Sequence, residues 1–245
     1  MKKTLLFCTL AFSGGSAFAF HPLISEDTAF LGRDVRQAEI TFEHSVSKEG
    51  FDFYSNTVAA EFSYGLFDKI DIMISAPWQG WSSHGLSESG LGDVSLETKF
   101  EVARDKDWTF ALKPGFSLPA GNEAKSLGAG KGGVWVYGIA GKTAGPRHYY
   151  LNAGYRLNRN SLDNAENILK ASAAAALEVL PKTLLSAELA IETSPEKDSP
   201  SHPVTSVFGL IWSPSPSLDL DAGVKFGLNK AADDLGLLAG FTLRL

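Results

Sequence analysis

The chain is nearly free of cysteine, and the one it has sits where it will not last. Cys8 falls within MKKTLLFCTLAFSGGSAFA, which has a basic start (Lys2, Lys3), an apolar core from Leu5 to Phe12 and small residues ending in Ala17-Phe18-Ala19. That is the layout of a secretory leader with an A-x-A cleavage site. Cleavage after Ala19 is expected to leave residues 20–245, or 245 − 19 = 226 residues, without a thiol. Disulfides, thiol catalysis and cysteine–metal sites are thereby excluded, and Cys8 cannot be the lipidated first residue of a lipoprotein. Long apolar runs are also missing. The leader core is too short to span a bilayer and no second run follows, which excludes a helical membrane protein. Excess positive charge is missing too. The formal charge of −6 becomes −8 once Lys2 and Lys3 leave (−6 − 2 = −8), so no nucleic-acid partner is expected.

Catalytic and ligand-binding motifs are equally scarce. The histidines of the mature chain (His21, His44, His84, His148, His202) show no metal-ligand spacing. No G-x-S-x-G elbow supports a serine nucleophile. GAGKGG (128–133) suggests a phosphate cradle, but Gly132 stands where Ser or Thr should follow Lys131. No catalytic residue, cofactor or metal is expected, and the chain is not expected to be an enzyme.

What is present is alternation. SLDLDAGVKFGLN (217–229) places Leu218, Leu220, Ala222, Val224, Phe226 and Leu228 on one face, with Asp219, Asp221 and Lys225 on the other. Period two is the mark of a β-strand with one apolar face. Twelve such stretches follow one another, near 36–45, 57–65, 69–76, 92–102, 108–118, 133–142, 147–158, 168–180, 183–193, 203–213, 217–229 and 234–245. The sides of 133–142 are not assignable, because both are apolar, and the alanines of 168–180 leave a helix open. An error in these, or in the mostly apolar 203–213, would reduce the count to ten. The connections alternate in length. Short turns such as 66–68, 103–107, 143–146 and 181–182 face one end, and longer loops such as 45–56, 77–91, 119–132 and 194–202 the other.

The pattern does not itself say which side is inside. A soluble periplasmic β-protein would turn the apolar face inward and bind an apolar ligand. An outer-membrane barrel inverts this, with apolar residues toward lipid and polar ones toward the lumen. Strands of about ten residues, the length needed to cross a bilayer at a tilt, favour inversion. So do aromatics at strand ends: Trp78, Trp81 and Tyr155 toward the long-loop end, Trp108 and Trp212 toward the short turns. The expected fold is all-β, a single antiparallel up-and-down outer-membrane barrel of about twelve strands over 20–245, with both termini and the short turns in the periplasm. Its lumen would be lined by Glu39, Glu43 and Glu61, by Asp71 and Asp93, and by Glu97, Lys99 and Glu101 on one strand face. Lys113, His148, Arg156 and Glu188 would continue the lining, with Asp219, Asp221, Lys225 and Arg244 closing it. These charges form either a solute path or a structural network that seals the barrel. Because acids outnumber bases, an open pore would disfavour anions.

The segment HPLISEDTAFLGRD (21–34) carries information beyond periodicity. With His21, Pro22, Leu23, Asp27, Thr28 and Gly32 it resembles the opening of a bacterial family named for the MetA pathway of phenol degradation. YGLFDKIDIMISAP, GLGDVSLETKF (90–100), LPAGN (118–122), LNAGY and LDLDAGVKFGL resemble later segments of that family in the same order. The resemblance implies an outer-membrane, transporter-like barrel, linked in some members to uptake of aromatic or other hydrophobic compounds. It implies no catalytic residues. The expected partners are outer-membrane lipid and a small-molecule solute, and the expected role is passive transfer. The other readings are a closed structural or adhesive barrel acting through its long loops, and the soluble ligand-binding protein above.

Overall fold

The computed structural model describes residues 21–48 and 52–245. The expected leader, 1–19, lies outside the described residues. The strands are β1 (Arg36–Ser47), β2 (Phe53–Phe67), β3 (Ile70–Ser83), β4 (Leu86–Leu91), β5 (Val94–Asp105), β6 (Trp108–Leu118), β7 (Val134–Ala144), β8 (Arg147–Leu157), β9 (Asn167–Leu180), β10 (Thr183–Glu192), β11 (Val204–Ser215), β12 (Leu218–Gly227) and β13 (Leu235–Arg244). Each pairs antiparallel with its neighbour in the chain, except that β3 pairs with both β4 and β5. β4 and β5 are therefore one stave, interrupted at 92–93. The ring closes where β1 pairs with β13, from Gln37 opposite Arg244 to Val46 opposite Leu235. The result is a closed twelve-stave barrel with no open edge, in which every strand finds its backbone partners inside the sheet.

The faces are inverted relative to a soluble protein. Phe62, Ile74, Leu151, Leu189 and Phe208 point outward, each 45–56% exposed. Their alternating neighbours Glu61, Ser75, Asn152, Glu188 and Val207 point inward, each 0–9% exposed. This orientation removes the soluble reading, whose apolar face would have filled the inside. The same alternation settles β9: Leu169 and Leu177 face out, while Lys170, Ser172, Ala174 and Ala176 face in. β7 turns Trp135, Tyr137 and Ile139 inward and Val134 and Val136 outward.

The turns sort by end. The connections 68–69, 106–107, 145–146, 181–182 and 216–217 are two residues each and lie together at one end. Lys106, Gly145 and Lys182 take positive φ there, as tight hairpins demand. One long loop was expected at 77–91. Instead β3 runs through Pro77 to Ser83, turns at His84 (φ 52) and Gly85 (φ 77), and returns as β4. Two successive positive φ values make a primed hairpin turn. The glycine-bearing loop 119–133 is not loose. It packs on this hairpin through Gln79 Nε2 donating to the Leu127 carbonyl (2.5 Å) and Lys125 paired with Glu88 (2.9 Å). Asp93 accepts from the Gly121 and Ala129 amides (3.0 and 2.8 Å).

Candidate functional site: a lumen threaded by its own N-terminal segment

A barrel of eight strands is filled by its side chains, whereas sixteen leave a water channel. Twelve staves leave room that the polar lining alone does not fill, and residues 21–35 occupy it. The segment enters beside the short turns and crosses the lumen. The Asp34 amide donates to the Gly65 carbonyl (2.8 Å), the Arg33 amide to Asp68 (3.4 Å) and the Leu31 amide to Asp71 (3.2 Å). Gly65 is required at this entry, since a Cβ there would run into the carbonyl of Gly32, itself at φ +85. Further along, Asp27 pairs with Lys99 (3.2 Å) and Glu26 with Lys113 (2.6 Å). Asn152 locks the backbone of Glu26 from both sides, accepting from its amide (3.1 Å) and donating to its carbonyl (3.0 Å). Glu188 accepts from the Ile24 and Ser25 amides (2.6 and 3.3 Å). His21 ends the crossing on Asp221 of β12.

The crossing segment also carries an apolar contact. Leu23 is fully buried against Ala174, Ala176, Val207 and Leu238, with Ile24, Tyr150, Leu184 and Ile211 around them. One side of an otherwise polar lumen is thus greasy. Fully burying a leucine contributes about 1.5–3 kcal/mol.

The inner wall holds most of the charges expected there. Glu39, Glu61, Asp71, Glu97, Lys99, Lys113, Arg156, Glu188, Asp221 and Lys225 are all buried on the inner face. Lys113 is the hub: it contacts Glu26 and also Glu97 (3.0 Å), while Glu97 accepts from Trp135 Nε1 (2.8 Å). Glu43 pairs with Lys225. Glu39 and Glu61 stand directly opposite on β1 and β2, each with one buried carboxylate oxygen lacking a partner. The remaining charges sit at the rims. Glu101, with Lys69 (2.6 Å) and Arg104 (2.7 Å), and Asp219, with Arg244, lie at the short-turn rim. So does His148, beside Thr143. Asp93 lies in the break between β4 and β5 and holds loop 119–133, so its task is to anchor a loop.

Among known proteins, the profile of the family described as "Putative MetA-pathway of phenol degradation" matches residues 36–245. The chain belongs to that family. The matched span is the barrel; the crossing segment precedes it. No curated protein matches the chain. Its fold is that of an outer membrane channel from Pseudomonas putida F1, with TM-score 0.77, 15% identity, and 91% of this chain and 100% of that one covered. More distant folds are the KdgM porin (TM-score 0.55, 10% identity, 84% and 98% covered) and the translocator domain of the autotransporter NalP from Neisseria meningitidis (TM-score 0.54, 11% identity, 87% and 89% covered).

In this family member the aromatic residues divide by face. Trp78, Trp108, Tyr155 and Trp212 are outward and exposed. Trp108 stacks on Phe110 and lies beneath the Lys142 ammonium (5.4 Å), and the Tyr155 hydroxyl donates to Asn167 (2.6 Å). Trp81 departs from the expected girdle. The longer β3 sets it on the opposite parity from Trp78, and its indole donates to the Lys125 carbonyl (2.9 Å) under loop 119–133. The sequence reading missed Glu26 and Asp27 as luminal, together with the whole path of 21–35. One signal was available: a segment with buried-type residues and no period, lying before the first strand. Lys170 was missed because β9 read as alanine-rich.

Proposed function

We propose that this barrel sits in the outer membrane, short turns in the periplasm, and passes small apolar or aromatic solutes by diffusion, without a cofactor or energy input. Family membership and the channel fold support the setting. The observation that carries the solute class is the apolar patch of Ala174, Ala176, Val207 and Leu238 inside a polar lumen. Leu23 and Ile24 cover it, so passage requires the 21–35 segment to move or a path past it. One observation favours a second reading, a closed structural barrel: the segment is tied to the wall by at least three buried charged contacts.

Single-channel recording and solute flux with the full chain in bilayers separate the two. Brief, infrequent openings, together with entry of a small aromatic alcohol into vesicles faster than into protein-free controls, support the channel. Vesicles no leakier than controls, and no openings in any variant that loosens the segment, refute it.

A further inference from the structure

Lys170 lies on the inner face of β9, toward the long-loop end from the crossing segment. Its residue is 8% exposed and its ammonium has no hydrogen-bond partner. A buried ammonium without an acceptor is costly. Its cross-strand neighbour on β8 is Gly154, whose missing side chain leaves space that the Tyr137 ring fills. Its cross-strand neighbour on β10 is Glu192, with which it forms no ion pair. Two residues on, Ser172 presents a buried hydroxyl that is also unpartnered, beside Asn152 where the crossing segment is held. Flanking them, the Arg156 guanidinium lies over the Trp135 ring at 5.1 Å. Glu97, another acid on that side, is already taken by Trp135 and Lys113.

We propose that Lys170 and Ser172 form a subsite for the carboxylate of a small aromatic acid, whose ring rests against Tyr137 and Trp135. The subsite is a local inversion in an acidic lumen. It stands directly above the Asn152–Glu26 lock, so an acid held there would face the middle of the crossing segment from the long-loop side. The inference rests on the channel reading and narrows its solute class from apolar molecules to aromatic acids. An ammonium and a hydroxyl together offer a carboxylate two donors, one of them charged.

The test uses calorimetry on the full chain in detergent, with three ligands of one shape: benzoate, benzyl alcohol and benzylamine. Benzoate is expected to bind about tenfold or more tighter than benzyl alcohol, and benzylamine weakest. Lys170→Met should erase the benzoate preference, Lys170→Arg should keep it, and Ser172→Ala should weaken benzoate severalfold. Gel mobility with and without boiling verifies that each variant is a folded barrel. Equal binding of benzoate and benzyl alcohol by the wild type overturns the proposal, as does an undiminished preference in Lys170→Met. Binding is read without flux. A barrel that passes solutes but shows no acid preference refutes this inference alone, whereas one that binds benzoate yet passes nothing refutes the channel.

Discussion

Replacing Lys113 by methionine probes what holds residues 21–35 in the lumen. The ammonium lies 2.6 Å from Glu26 on the segment and 3.0 Å from Glu97 on the wall, and all three groups are fully buried. Methionine keeps the volume and removes the charge. Two carboxylates would then face each other without a cation, and removing one partner of a buried pair costs about 3–5 kcal/mol. The strain falls on the segment, because β5 and β6 are fixed by the sheet while Glu26 can leave. Taking about 3 kcal/mol at 1.4 kcal/mol per decade, the population with the segment undocked should rise about a hundredfold. Residues 20–245 contain no cysteine, so Ser25→Cys in that span supplies a single thiol reporter at a buried position whose hydroxyl makes no hydrogen bond. Maleimide labelling of that cysteine reads the undocked fraction, provided redocking is faster than labelling. A rate within threefold of the Ser25→Cys parent would refute the claim that the Lys113 hub holds the segment.

Other substitutions give separate readings. Glu188→Ala removes the acceptor for the Ile24 and Ser25 amides and should raise the same labelling rate by about tenfold, at roughly 1–3 kcal/mol for amides left unpaired; Glu188→Gln should restore most of the protection. Leu151→Arg, outward and near mid-strand on β8, should cost about 2–4 kcal/mol in urea-unfolding from lipid vesicles, whereas an inward, charge-conserving change such as Arg156→Lys should cost far less. Gly65→Ala should drive a methyl into the Gly32 carbonyl, and increased labelling of Ser25→Cys without loss of the heat-modifiable barrel would show that the damage is confined to the segment's entry.

The barrel was legible because its strands obey one rule throughout. A sheet with lipid on one side and lumen on the other must alternate, and Leu151, Asn152 and Ala153 or Leu189 and Ala190 do so without regard to what lies far away in sequence. The position of each two-residue turn followed from turn chemistry in the same local way. Trp81 was misread because Pro77 looked like the end of a strand; a proline whose missing amide falls at an interruption in its neighbour stave does no harm, and β3 continues. The candidate site was half legible. Wall charges such as Lys99 and Lys113 could be placed by parity, but their partners Asp27 and Glu26 lie some 70 to 90 residues away in an aperiodic segment. Local pattern says nothing about where such a segment goes. Only the size of a twelve-stave lumen and the surplus of buried charge call for something to fill it.

The central claim is that apolar faces meet lipid while charged faces surround a threaded lumen. Tryptophan quenching by lipids brominated on their acyl chains tests it at single residues. Two variants, each retaining one tryptophan, would be reconstituted in such lipids: one with Trp212, outward and 47% exposed, the other with Trp135, inward and 5% exposed. The account predicts strong quenching of Trp212 and little of Trp135. Quenching of Trp135 with Trp212 unaffected would contradict it, because the faces would then be the wrong way round.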